Sequence, residues 1–308
     1  MPMQAMDRVD LHVAQPPVAP PPPVVPPCNT VEGDCATGDG ATRQNHLAAR
    51  LTAYYTKYYR DVLGLPDWEG RAAARLSEED NVRPFLREAE FWMNERFERG
   101  RRVLVAGGGT GAEFMVFARR GCDVDAVEPN PEAVAIAREK ARLEGIDPNR
   151  FRRGVAESLP FPDGHFDIVC CHSVLEHVQD VRRSVEEMIR VTKPFGRVLI
   201  ATVDYRQCWE NHYKLPLPMF LPRWIVKLLL RSRGRDVRFL DSLQLIDSRQ
   251  LTNLFMDQPV VALRVIRSWP QPWKGRLTAP MRIIKWIVQH REIQRDQTWI
   301  LLKLDRPR

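Results

Sequence analysis

The spacing of apolar residues divides this chain into stretches of different character. Residues 1–43 show neither a helical nor a strand period. Pro16–Pro27 holds eight prolines, and Gly, Asp and Thr follow. Such a stretch buries too little apolar surface to offset the entropy of ordering it, so a disordered tail is expected. From about Gln44, Leu51, Tyr55, Tyr58 and Val62 recur at helical spacing and predict a first helix. A second helix is expected after Ser77, because Glu78, Glu79 and Asp80 favour the positive N-terminal end of a helix. Its predicted buried face is Phe85, Ala89, Trp92 and Phe97.

Near residue 100 the pattern changes to short apolar runs alternating with helical periods. Strands are predicted at Arg102–Ala106, Val124–Val127, Phe151–Val155, Phe166–Cys171 and Arg197–Val203. Helices are predicted between them, through Arg120, over Pro131–Glu144 and through Val191. This alternation implies a parallel sheet covered by helices on both faces. Further on, Leu251–Phe255 reads as a helix, and Val260–Trp269 and Trp299–Leu304 as late strands. The organisation expected is a tail (1–43), a helical cap (44–99), a ligand-binding core (100–204), an insertion (205–247) and the remainder of the sheet (248–308).

Composition narrows the class. No run of about 18 apolar residues occurs, so no membrane-spanning helix is expected. The N-terminus lacks the basic and apolar regions of a secretory signal. Cys170 and Cys171 stand together in an apolar run, which fits a buried strand in a reducing compartment. Cys28 and Cys35 lack a second pair, so no metal cluster is expected. A cytoplasmic protein is the expectation. The net charge of +7 is uneven: from Tyr205 onward 20 Lys and Arg stand against 8 Asp and Glu. The later part therefore either faces something anionic or carries a solvated basic surface.

The strongest local signal is VLVAGGGTG, Val103 to Gly111. A strand runs into glycines and a helix follows. Glycines permit a tight turn and close approach of a ligand, and the helix N-terminus offers free N–H groups. Gly107, Gly109 and Ala112 also satisfy the dinucleotide pattern, so a nicotinamide dehydrogenase remains open at this point. Glu128, closing the second strand, can accept ribose hydroxyls in either case. Asn130 and Pro131 read as an N-cap and first helical residue.

The next motifs separate the two. GVAESLPFPDGHFDIVCCHSVLEHVQD, Gly154 to Asp180, resembles the methyltransferases of the ubiquinone and menaquinone biosynthesis type. KPFGRVLIATV, Lys193 to Val203, resembles the L-K-P-G-G lead-in to a strand in the same family. The resemblance covers roughly residues 100–204. It implies a Rossmann-like, seven-stranded, mostly parallel sheet of the class I methyltransferase fold, and S-adenosyl-L-methionine as cofactor. It further implies that Gly107, Gly108, Gly109 and Gly111 wrap the methionine part and that Glu128 holds the ribose. Val155, Ala156 and Glu157 would frame the adenine, and the backbone near Cys171 and His172 would face the amino group. Two departures from the family pattern matter for the cofactor: Val105, where an acid is usual before the first glycine, and Val155, where Asp is common.

On the acceptor side His172, Glu176, His177, Asp204 and His212 are candidate bases. His172 and His212 are singled out as catalytic candidates, against a packing role for each; Glu176 and His177 lie in the L-E-H-V run and read as structural. The insertion holds FLPRWIVKLLLRSRGR, in which Leu221, Trp224, Ile225, Leu228 and Leu229 can gather on one helical face beside Arg223, Lys227 and Arg231. Met281–Arg291 repeats this basic, apolar character. Both suit a lid over an amphiphilic or lipid-linked acceptor, with peripheral contact to an anionic membrane, or plain packing on the core. A cofactor-binding relative without activity, and an RNA methyltransferase, are the alternatives.

Overall fold

The structure is a computed structural model that describes residues 39–206, 210–215, 217–219, 221–266 and 296–305. The prolines of 1–38, Cys28 and Cys35, and the amphipathic stretch Met281–Arg291 lie outside the described residues.

The first helix, α1 (Asp39–Thr56), starts earlier than its apolar period suggests and runs into a wider π turn over Lys57–Val62. A π turn takes more residues per turn than an α-helix, so the buried face changes phase. Tyr59 is buried there, and Val62, expected inside, is exposed. A short helix the sequence reading lacks, α2 (Trp68–Ala74), follows. Then comes α3 (Glu78–Met93), which begins at the expected residue. Phe85, Ala89 and Phe97 are buried as expected, whereas Trp92 is exposed. Asn94 takes a left-handed conformation (φ 51°) that turns the chain out of the helix just past Trp92.

The sheet is built from β1 (Arg102–Ala106), β2 (Asp123–Glu128), β3 (Phe151–Arg153), β4 (Phe166–His172), β5 (Thr192–Val203), β6 (Val260–Ile266) and β7 (Asp296–Lys303). The connecting helices are α4 (Ala112–Arg119), α5 (Pro131–Leu143), α6 (Val181–Val191), α7 (Arg223–Arg231), α8 (Arg238–Ser242) and α9 (Ser248–Met256). Seven strands lie in the order β3-β2-β1-β4-β5-β7-β6. The first five pair in parallel, and β7 inserts antiparallel between β5 and β6. This is the class I Rossmann-like methyltransferase fold.

Residues alternate across each central strand, so the sheet carries a core on either face. Val103, Val105, Ile168 and Cys170 face Phe85, Phe114 and Phe117. Leu104, Val169 and Cys171 face Val185, Met188 and Phe255 on the other side. Val105 is fully buried between β2 and β4, so an acid in its place would need a partner that this core does not provide. The insertion has a small core of its own: Val203, Tyr205, Tyr213, Leu217, Val226, Leu230 and Leu240.

Strand order reverses between β1 and β4, and their C-terminal ends open a crevice, the place where ligands bind in open α/β sheets. The glycine turn, Glu128, His172 and the end of β5 all lie at that edge.

Candidate active site

At the cofactor end the backbone does most of the positioning. The N–H groups of Gly107 and Gly108 both donate to the Val127 carbonyl, at 2.8 and 3.0 Å, which curls the turn over β2. Gly107 has φ 81°, and a Cβ there would lie 2.3 Å from Val174 Cγ2. A Cβ on Gly108 would strike the Phe151 ring at 2.5 Å. Gly109 differs: no atom lies within 4 Å of where its Cβ would sit. The turn is thus packed on protein at Gly107 and Gly108 and open at Gly109.

Glu128 lies beside that opening. One carboxylate oxygen accepts the Gly109 N–H at 3.0 Å, and the other accepts the Asn130 N–H at 2.9 Å. Burial pushes its pKa up, and the two N–H donors partly offset this. A half-buried carboxylate at a strand end next to open space suits paired hydroxyls. Asn130 caps α5 as expected, its side chain accepting from the Glu132 and Ala133 N–H groups. Across the crevice Val155 is exposed and Ala156 buried. The Glu157 carboxylate accepts from the Gln179 N–H at 2.7 Å and so holds the loop after β4. Cys171 is buried in the sheet, where desolvation pushes its thiol well up and leaves it inert.

The tyrosines of α1 cover the turn. The Tyr55 hydroxyl lies 2.9 Å from Thr110 Oγ1 and donates to Glu78 at 2.8 Å. Thr110 also donates to the buried Glu78, and Lys140 pairs with the same carboxylate. This network ties the cap, the glycine turn and α5 together. Tyr54 lies near Glu128; burial, reinforced by that carboxylate, raises its pKa to about 12.

His172, at the end of β4, has Nδ1 2.8 Å from Glu113 and its ring stacked on Phe85 at 4.5 Å between centroids. Asp204 is buried, and although desolvation raises its pKa, Arg206 overrides this and holds it below the ordinary carboxylate value. Arg264 bonds the same group. Such a carboxylate is a poor base.

His212 is in different company. The fold brings it beside His177, with ring centroids 5.1 Å apart, and both touch Phe239 of the insertion. Its Nδ1 lies 2.7 Å from the fully buried Glu210. Ligand-type atoms of Glu176, His177 and His212 all lie within 4.8 Å of one another. Glu176 is 1% exposed and accepts from the Thr202 hydroxyl at 2.8 Å. The surrounding protein desolvates His177 and favours its neutral form. Motif reading listed Glu176 and His177 among the candidate bases but favoured a structural role for both, and their joining with His212 depends on a long-range contact. The Gln244 N–H donates to the Glu176 carbonyl at 2.8 Å and clips the insertion onto this loop.

The predicted apolar face of α7 is not the one by which the helix packs. Val226 and Leu230 are its buried residues, while Trp224 is 68% and Leu228 60% exposed. Arg223 donates to the Leu240 and Leu243 carbonyls, and Lys227 pairs with Asp241. The helix therefore packs by one face, with two of its basic side chains turned to internal partners, and shows a short apolar ridge on the other face. No helix among the described residues is long and apolar enough to cross a membrane.

Residues 104–200 match the methyltransferase-domain family. The chain is 35% identical over 136 residues to an uncharacterized methyltransferase, YcgJ, of Bacillus subtilis, covering 39% of this chain and 54% of the relative. It is 38% identical over 106 residues to the ubiquinone/menaquinone biosynthesis C-methyltransferase UbiE of Pectobacterium atrosepticum, covering 33% and 42%. The chain thus spans about half the length of these curated relatives, or less. A geranyl diphosphate C-methyltransferase from Streptomyces coelicolor shares the fold, with TM-score 0.50 and 18% identity, over 84% of this chain and 98% of that one.

Proposed function

We propose that this chain, whose residues 104–200 form a class I methyltransferase domain with S-adenosylmethionine as its cofactor, catalyses methyl transfer to a small amphiphilic acceptor. The observation that carries this reading is the pairing of Glu128 with the open side of Gly109 at the switch point of the sheet. Glu128 would exchange its bond from Gly109 for ribose hydroxyls, and the bond from Asn130 would keep its carboxylate oriented. Gly107, Gly108 and Gly111 would hold the turn close to the methionine part. Val155, Ala156 and Glu157 would border the adenine, and the backbone at Cys171 and His172 the amino group.

The bound cofactor supplies an electrophilic methyl group on a sulfonium. The protein's task is then to bring the nucleophile to about 3 Å along the line of displacement and to exclude water. The cap tyrosines and Phe239 provide cover. His172, braced by Glu113 and Phe85, shapes the wall at the end of β4. His212 lies on the acceptor side, where Glu210 orients its ring. The Trp224–Leu228 ridge would meet an amphiphilic acceptor or the membrane that holds it, on the cytoplasmic side.

Calorimetry with the methyl donor and its demethylated product tests the reading. Both should bind, and Glu128→Ala should weaken binding about 100-fold, the worth of two hydrogen bonds to a charged group. Binding of NADH in their place would overturn it. A labelled methyl donor, offered with lipid and quinone-precursor extracts, should then report transfer.

A further inference from the structure

Glu176, His177 and His212 come from two stretches of sequence, and nothing in their motifs explains why they converge. Their immediate chemistry does. Glu176 is buried at the end of the β4 loop and, among the described residues, takes one side-chain hydrogen bond, from Thr202, and is paired with no Lys or Arg. Glu210, also fully buried, accepts from the Tyr213 N–H at 2.5 Å and faces His212. Two carboxylates removed from water in one cluster need positive charge close by, or the desolvation cost stands uncompensated. A second observation comes from Tyr205. Its hydroxyl is buried and has no hydrogen-bond partner among the described residues, and it feels the charges of both Glu176 and Glu210. Buried hydroxyls nearly always have a partner, so this one marks a place for something else.

An ionised Glu210 only accepts, and in that state the proton between it and His212 resides on Nδ1, leaving the Nε2 lone pair for the cluster. A carboxylate holding the outer nitrogen of a histidine is the arrangement that orients a metal-ligating imidazole.

We propose that Glu176, His177 and His212 bind one divalent transition-metal ion of the zinc class, Glu210 orienting His212 from behind. Two imidazoles and one carboxylate are a donor set of catalytic sites that keep a position open. A tetrahedral ion at about 2.0–2.1 Å needs donors roughly 3.4 Å apart. Binding would therefore draw the three inward from their 4.8 Å spread. The ion would lie close to the cofactor turn, since Val174, two residues before Glu176, is the side chain packed against Gly107. An acceptor hydroxyl in the open position would release its proton to solvent more readily and attack the methyl as the alkoxide, so the substrate class is one with a hydroxyl group. That last step rests on the methyltransferase reading; ion binding does not.

The test uses the untagged, metal-stripped full chain. Titration with zinc by calorimetry should show one equivalent bound. Cobalt(II) should give visible d–d bands without the sulfur-to-metal charge-transfer band that cysteine ligation brings. Glu176→Gln and His212→Gln should each abolish the cobalt spectrum. Glu210→Gln should weaken binding 10- to 100-fold, as loss of such an orienting partner does. Methyl-donor binding, measured in parallel, should survive in all three and shows that they fold. Wild type that binds the donor but neither ion overturns the metal site. Ion binding without donor binding leaves the metal site standing and defeats the methyltransferase reading instead. A charge-transfer band, or binding unchanged in His212→Gln, also overturns the site.

Discussion

The two ends of the crevice hold carboxylates in opposite ways. At the cofactor end Glu128 takes two backbone N–H groups, from Gly109 and Asn130, and its place is set by the path of the chain. At the other end, the proposed acceptor side, Glu176 takes one hydroxyl, and it, His177 and the insertion's own His212 are brought together by side-chain packing. Backbone donors are fixed once the turn forms. Side-chain donors depend on every element that supports them. The first end is therefore set by a short local stretch of chain, the second by long-range packing.

The largest effect expected from breaking this contrast is at Gly107. Gly107→Val would place branched carbons where Val174 already sits, in a conformation with φ 81°. It should lower stability by about 3 kcal/mol or more, from overpacking plus left-handed strain, and reduce donor binding beyond detection. Gly109→Ala is the control: with open space at its Cβ it should cost about 1 kcal/mol, from backbone strain alone. Denaturant melts with parallel calorimetry distinguish the two.

Second is Glu78, where the cap meets the turn. Glu78→Ala leaves the mostly buried Lys140 without its carboxylate and Thr110 and Tyr55 without an acceptor. A loss of about 3–5 kcal/mol is expected for breaking such a pair, read as a lower midpoint in urea. If the midpoint holds, the cap is not anchored through this residue.

Thr202→Val sharpens the acceptor end. It removes the hydroxyl from the buried Glu176 and should cost about 1–3 kcal/mol. Donor affinity should stay within twofold of wild type, which would show that the two ends are energetically separate. A tenfold loss would mean that they are coupled.

Phe195 gives a smaller change, of opposite sign. It stands where the L-K-P-G-G pattern has glycine, its φ is 61°, and its side chain is 63% exposed. Phe195→Gly relieves strain and surrenders little packing, so stability should rise by about 1 kcal/mol in thermal melts. Smallest is the ridge on α7: Trp224→Ala with Leu228→Ser should change stability by less than about 0.5 kcal/mol, since both are exposed. The pair should nonetheless lose any sedimentation of wild type with anionic vesicles. Equal sedimentation of the two proteins would remove the membrane contact from the proposed function.

The same contrast explains what could be read from the sequence. The strands, the glycine turn, Glu128 and the Asn130 cap were all visible because each is a local requirement: apolar alternation, positive φ, a capping oxygen. The π turn that buries Tyr59 and exposes Val62 was not, because its extra residue per turn leaves no mark on composition. Nor was the partnership of Thr110 with Glu78. An acid in the first turn of α3 reads as a dipole match, and only the position of α1 over the turn shows it buried. Glu176, His177 and His212 were each noticed, but as isolated candidate bases; their meeting depends on how residues 205–247 fold back. For α7 the period could be read, and Trp224 and Leu228 of the expected apolar face are exposed, but the packing of the helix through Val226 and Leu230 could not, since several faces of FLPRWIVKLLLRSRGR are apolar enough to pack.

The placement of β7 has a consequence for how the molecule is made. Among the described residues β6 pairs with β7 alone, and the outer edge of β5 is covered only by β7. During synthesis β5, already paired with β4 on one side, therefore keeps its other edge open, and β6 emerges before its partner strand, until residues 296–303 appear. Sheet closure is thus a late, long-range event in the vectorial appearance of the chain, and exposed edges in that interval are templates for wrong partners. A ribosome stalled after Ile266 should present a core whose glycine turn is already formed but whose sheet is still open. The protein would then become competent to hold its cofactor before it is safe from aggregation, and a chaperone that shields strand edges would act in that window.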